Sequence, residues 1–135
     1  MNWLFKEEPS NYSYDRLVRD GRTSWTGVRN PLAQKHLRAV TKGDRIFFYH
    51  TGDEKAVVGI AKAAAAAYPD PADKMGKLYA VDVLPVRKLD HPVTLAAVKA
   101  DKSFASFALT RVPRLSVMPV TDDEWDRIVA MSGKE

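Results

Sequence analysis

Trp25-Thr26-Gly27-Val28-Arg29-Asn30-Pro31-Leu32-Ala33 gathers an indole, a glycine, a guanidinium and a side-chain amide within nine residues. Trp25 offers a flat π face, Gly27 lets the backbone bend or approach a ligand closely, and Arg29 carries a permanent charge on a planar fork of donors. Asn30-Pro31 reads as a helix start, because Asn accepts from the orphan N–H groups of a first turn and Pro is pre-set for the first helical position. That end of a helix carries partial positive charge, so a phosphate or an electronegative base edge beside Arg29 is favoured twice. Each residue also has a plain structural role. Trp25 can be core, Asn30 a cap whose NH₂ stays free, and Arg29 half of a surface ion pair. Both sets of roles stand open on these grounds.

Upstream, Trp3-Leu4-Phe5 reads as a strand that Lys6-Glu7-Glu8-Pro9 stops, and a strand end is a good place for functional charge. Ser13 predicts an N-cap for a short helix over Tyr14 to Asp20, with Gly21 as its left-handed terminator and Arg22-Thr23-Ser24 as a link. Downstream, the helix opened by Pro31 carries Ala33, Leu37 and Val40 on one face and ends before Gly43. Asp44 to His50 follows as a dense apolar strand, and Ala56 to Ile60 returns after a polar turn, so the two form a hairpin. Gly59 inside the second strand predicts a bulge or a close approach.

That strand is expected to run to about Ala66, followed by a loop over Pro69 to Lys77 and a long strand over Leu78 to Val86. His91-Pro92-Val93-Thr94 leads to a short helix from Leu95 to about Ala100, capped by Thr94. Ser103 to Phe107 fits a helical turn or extended chain equally. Leu115 to Val120 is the last strand, and Thr121 with Glu124 forms a capping box for a terminal helix with Trp125, Ile128 and Val129 on one face. The fold class that results is α+β: about five to six strands in a curved sheet or barrel, with short peripheral helices.

The 135 residues suit one domain spanning 1–135, able to bury about two-thirds of the unfolded surface. Without cysteine there are no disulfides, thiolate nucleophiles or Cys-based zinc sites, which fits a reducing interior. No apolar run approaches a membrane span and the N-terminus lacks a signal-peptide layout, so a soluble, cytoplasmic protein with no membrane partner is expected. The net charge of +4 tolerates an anionic partner without demanding one. A Gly-rich phosphate turn in a βαβ unit is absent, and His36, His50 and His91 show no metal-ligand spacing. We therefore expect no metal and no cofactor.

Several segments in order resemble the EVE domain family, part of the PUA-like superfamily that also includes the YTH readers of methylated adenine. They are Lys6-Glu7-Glu8-Pro9 with Tyr12-Ser13, the central nonapeptide, Gly43-Asp44 leading to Phe48-Tyr49-His50, Val58-Gly59-Ile60, Tyr68-Pro69-Asp70, Val81-Asp82-Val83, Pro92-Val93-Thr94-Leu95, and Arg111 with Arg114 to Val120. Thr51 stands where many relatives have Ser and keeps the hydroxyl. Lys62 to Ala67 departs as a plain alanine-rich run. The resemblance implies a PUA-like mixed β-barrel with a cleft for a nucleobase, and a role in recognising modified bases, especially modified cytosines in DNA. Catalysis is not implied.

Read physically, Trp25 and Tyr49 are candidate aromatic walls, Asn30, His50 and Ser13 candidate partners for base edges, and Lys6, Arg29, Arg111 and Arg114 candidate phosphate contacts. Bland counterparts stand beside these: Tyr49 as core, and Lys6, Arg111 and Arg114 as solvated charge, while His50, with no nucleophile beside it, reads as a hydrogen-bonding group. The leading expectation is a non-enzymatic module reading a modified base, most readily in DNA. The alternatives are an RNA-binding module for structured or modified RNA and, more weakly, a nucleotide hydrolase using His50 with Glu7 or Asp44. Partner proteins encoded by neighbouring genes are a further expectation, and a monomer is the expected state.

Overall fold

The computed structural model describes residues 1–133. Its strands are β1 (Asn2–Glu7), β2 (Thr23–Trp25), β3 (Arg45–His50), β4 (Ala56–Ala63), β5 (Tyr68–Pro69), β6 (Tyr79–Thr94) and β7 (Val117–Val120). Its α-helices are α1 (Tyr14–Asp20), α2 (Pro31–Arg38), α3 (Leu95–Ala100), α4 (Ala108–Arg111) and α5 (Asp122–Ser132), with a 3₁₀ turn at Lys102–Phe104. The strands form one mixed, curled sheet in the order β2-β6-β4-β3-β1-β7, with β5 added on β6. β1 runs parallel to β3 and the other pairs are antiparallel. The edge strands β2 and β7 are not paired with each other, so the sheet curls into a half-barrel.

Side chains alternate along a strand, and this parity sorts the functional candidates. On the inner face of the half-barrel, Phe5 packs on Trp25 with ring centroids 5.2 Å apart, and Phe48 meets Trp25 edge-on at 5.3 Å and His50 at 5.6 Å. α1 and α2 close this face, Tyr14 lying edge-on to Phe48 and His36 approaching Trp3. On the other face Phe47 stacks on Trp125 of α5 at 3.7 Å, and Tyr49 lies beneath Lys6.

The caps form as their local sequences require. The Ser13, Asn30, Thr94 and Thr121 side chains each accept a backbone N–H three residues on, and Glu124 completes the capping box by accepting the Thr121 N–H. Gly21 ends α1 at φ 75°. Gly59 sits beside a bulge, since Phe48 pairs with Gly59 but Tyr49 pairs with Val57, and the Tyr14 ring fills the space a side chain would need.

Several expectations need correction. β4 stops at Ala63 rather than near Ala66: Ala64 still donates its N–H to the Asp82 carbonyl of β6, and the chain bends there. β6 continues through His91-Pro92 to Thr94 instead of ending near Val86. Its register slips near both prolines, between the Ala61–Pro85 and Ile60–Arg87 pairs and between Gly59–Lys88 and Val57–Val93, so the missing N–H groups fall where the ladder is broken. Thr23–Trp25, expected to be largely a link, is an edge strand on Val81–Val83. Tyr68–Pro69 is a two-residue strand, and Ala108–Arg111 a helical turn with no strong local signal.

Candidate nucleic-acid interface

Packing Trp25 between Phe5 and Phe48 brings β2 against the end of β1. The chain between them leaves a cavity of about 210 Å³ lined by Glu7, Asn11, Tyr12, Thr23, Ser24, Trp25 and Thr26. Its chemistry is polar with aromatic edges. One Glu7 carboxylate oxygen accepts the Glu8 N–H at 3.0 Å and the Asn11 amide at 3.5 Å; the other has no protein partner among the described residues. The Trp25 indole N–H also lacks a partner there, although Trp25 is 6% exposed. None of the described side-chain polar atoms is both fully buried and unpaired, so this N–H keeps some exposure, and Trp25 is one of the residues that line the cavity. The cavity thus offers a carboxylate acceptor and an indole donor, with hydroxyls around them.

Its walls are tied from outside. The Tyr12 hydroxyl donates to Asp20 at 2.8 Å and the Arg16 guanidinium lies 5.3 Å from the Tyr12 ring centre. Burial, assisted by Asp20, raises the pKa of this phenol. Ser24 and Arg22 each donate to Asp82 at 2.8 Å, and Tyr68 donates to the same carboxylate. The Tyr68 hydroxyl foremost, with Arg22 and Ser24, holds Asp82 below its ordinary pKa, so the clamp on β2 stays ionised.

The predicted site residues divide among several places. Trp25 lines the cavity, but as an edge donor whose ring belongs to the core. Arg29 is exposed on an adjacent depression of about 220 Å³ with Gly27, Asp70 and Asp73, which meets the first cavity at Thr26. Asn30 uses its oxygen as the α2 cap and exposes its side chain; Ser13 is likewise the α1 cap. Tyr49 faces away from Trp25. A single cleft walled by Trp25 and Tyr49 does not form, because Phe48 and Tyr49 are consecutive in a strand and point to opposite faces.

His50 is also committed. Its Nε2 accepts the Tyr14 backbone N–H at 3.0 Å, which places the ring proton on Nδ1, 2.8 Å from Glu54. It holds the start of α1 rather than facing a base. Asp44 precedes β3 and His50 ends it, roughly 20 Å apart at strand rise, so these two cannot act on one substrate atom. Lys6 lies on the Tyr49 face, donating to the Pro113 carbonyl at 2.9 Å. Arg111 donates to the Ala105 carbonyl, and Arg114 is exposed nearby without a protein partner among the described residues. Glu7, Asn11, Tyr12, Thr23 and Ser24 were not singled out as base contacts in the sequence. The signals available were the charge closing β1 and the Tyr12-Ser13 pair.

Among the described residues no helix is long and apolar enough to cross a membrane. Human thymocyte nuclear protein 1 is 31% identical over 99% of this chain and 75% of its own length. A solved structure from Rhodopseudomonas palustris superposes with a TM-score of 0.93 at 48% identity, covering 98% of this chain and 92% of that one. The human THYN1 protein in complex with 5-methylcytosine containing DNA superposes with a TM-score of 0.89 at 31% identity, covering 99% and 98%. An ASCH protein from Zymomonas mobilis shares the fold alone, with a TM-score of 0.58 at 16% identity. The family model for the EVE domain matches residues 1–131, and the chain belongs to the EVE domain family.

Proposed function

We propose that this protein binds DNA and reads a modified cytosine, flipped out of the stack, in the cavity formed by Glu7, Asn11, Tyr12 and Thr23 to Thr26. The observation that carries the reading is the pairing of an unsatisfied carboxylate oxygen on Glu7 with an unsatisfied indole N–H on Trp25 in a cavity of about 210 Å³. Cytosine presents an N4 amino donor beside ring acceptors, and a carboxylate is the side chain that accepts from N4. Thymine presents O4 at the same place, where a carboxylate repels it. A cavity well below the volume of a drug-sized pocket suits one pyrimidine with a small substituent. The complex of the human relative with 5-methylcytosine containing DNA supports the same choice of ligand.

In this reading Trp25 contributes its N–H edge and Tyr12 the aromatic surface at the mouth. Arg29, beyond Thr26, meets the flanking backbone, with Lys6, Arg111 and Arg114 on the far side of β1. Phosphate contacts of this kind give affinity without sequence information. We also propose that the protein acts by binding alone, because both nitrogens of His50 are engaged within the fold.

The test is fluorescence anisotropy with matched oligonucleotides carrying cytosine, 5-methylcytosine or thymine at one position, as DNA and as RNA. The wild type should prefer modified cytosine in DNA. Glu7→Gln, whose amide can face either N4 or O4, should lose about 1–3 kcal/mol of discrimination against thymine. Equal affinity of the wild type for all three bases, or unchanged discrimination in Glu7→Gln, refutes the reading. A preference confined to the RNA set would transfer it to RNA.

A further inference from the structure

The face of β1 and β3 opposite the base cavity holds a second depression, of about 300 Å³, ringed by Lys6, Lys55 and Lys99 and lined also by Tyr49 and Thr51. No carboxylate lines it. Acidic groups stand beside it: Glu8 accepts the Thr51 hydroxyl at 3.5 Å and lies against Gly52, and Asp53 and Glu54 line the neighbouring depression that shares Lys55 and Lys99. Among the described residues none of the three lysines on this depression has an ion-pair partner, although Lys88 elsewhere pairs with Asp15.

Each feature alone is ordinary. Lys99 in the last turn of α3 suits the helix dipole, and an exposed Lys55 is solvated charge. Two observations set this group apart. Lys6 is held half-buried 5.6 Å from the Tyr49 ring centre with one donor spent on Pro113, and burial lowers its pKa, a cost that an anion in the depression would relieve. Lys55 is the one non-glycine at positive φ among the described residues, 45°, with its carbonyl held by the Leu95 N–H. A strained backbone that presents a charged side chain at a cavity is a mark of a binding site. Tyr49 is 3% exposed and its hydroxyl has no protein partner among the described residues; since no described side-chain polar atom is both fully buried and unpaired, the hydroxyl keeps some exposure, and Tyr49 lines this depression.

We propose that this depression is a phosphate-binding site, with Lys6, Lys55 and Lys99 supplying charge and Tyr49 supplying a hydroxyl donor. Three compact ammonium groups suit a multiply charged, non-planar oxyanion better than a planar carboxylate, which favours the fork of an arginine. The phosphate belongs either to a nucleic-acid backbone or to a free phosphorylated molecule. A strand passing around the end of β1 can reach both faces there, because Lys6 and Glu7 are consecutive and point to opposite sides. The site does not depend on base reading, since a phosphate is the same beside every base.

The experiment is a backbone-amide NMR titration of the whole protein with inorganic phosphate, against sodium chloride at equal ionic strength, on wild type and Lys55→Gln/Lys99→Gln. Both substitutions are on exposed side chains, so the fold should persist, and the unchanged remainder of the spectrum verifies this. Phosphate should shift Thr51, Gly52 and Lys55 saturably in the wild type and bind at least tenfold more weakly to the variant. A parallel salt titration of oligonucleotide binding separates the sources. A salt slope lowered by about one in the variant assigns the site to the backbone of a bound strand, and an unchanged slope with the phosphate response lost assigns it to a free phosphate. A wild-type response no greater than that to chloride, or one that persists in the variant, overturns the site. Failure of base discrimination would show instead as equal affinities for modified and unmodified oligonucleotides.

Discussion

Gly59→Ala tests how the inner face is built. An added Cβ would lie 2.5 Å from Cε1 and 2.6 Å from Cδ1 and Cζ of the Tyr14 ring, closer than real Cβ atoms approach anything. The ring has little room to yield. Tyr14 is 1% exposed, its hydroxyl donates to the Ile60 carbonyl at 2.7 Å, and its edge meets Phe48 at a centroid distance of 5.5 Å. Overpacking of this kind costs about 1–3 kcal/mol, and loss of the hydroxyl bond as the ring shifts adds about 1 kcal/mol, so destabilisation of about 2–4 kcal/mol is expected. Urea denaturation with a common m-value measures it. A double-mutant cycle identifies the cause: in a Tyr14→Ala background the added methyl has space, and the cost of Gly59→Ala should fall by more than half. A Gly59→Ala protein within about 0.5 kcal/mol of wild type, a surface-like effect, or costs that simply add in the cycle, would refute the argument.

The same analysis reaches other positions. Asp44 accepts from the Trp3 indole at 2.9 Å and from the Thr41 N–H and hydroxyl; Asp44→Ala strands the indole N–H of a residue 2% exposed and should cost about 2–3 kcal/mol by denaturation. Burial alone would raise the Asp44 pKa, but these bonds prevail and lower it, so its contribution is full above the ordinary carboxylate pKa and fades as pH falls through the lower folded value. Asp101, held at about 2 by the Ser103 hydroxyl and N–H and by Arg127, should make the wild-type Tm fall more steeply than that of Asp101→Asn between about pH 4 and pH 2. Trp25→Ala should cost about 3–5 kcal/mol of stability because its ring is core, whereas Trp25→Phe, compared by anisotropy, should keep the fold and weaken binding of modified cytosine. Equal stability of Trp25→Ala and wild type would contradict the packing against Phe5 and Phe48.

Much of the fold was legible where cause and effect lie close together in the chain. Ser13, Asn30, Thr94 and Thr121 could be read as caps because each meets an N–H three residues away, and Gly21 as a terminator because only its own φ is at issue. β6 was harder, since its passage through Pro92 depends on a register slip against β4 that no local pattern announces. Strand parity was also available: Tyr49 cannot share a face with Phe48, whatever surrounds them.

What local chemistry could not supply was which inner-face residues meet. The Tyr14 N–H finds His50 across 36 positions, and that bond removes a histidine otherwise suited to reading a base. Trp25 becomes a cavity wall only because its ring docks on Phe5 and Phe48 from two other strands, drawing Thr23 to Thr26 toward Glu7. Residue types and periodicity set the elements, since caps, turns and alternation act over a few residues, and the ordered motifs carried the resemblance to the family. The partners of Glu7, Trp25, Tyr49 and His50 were decided by the tertiary structure, because burial of apolar rings is non-directional and only the complete sheet fixes where each ring, and the polar group beside it, comes to rest.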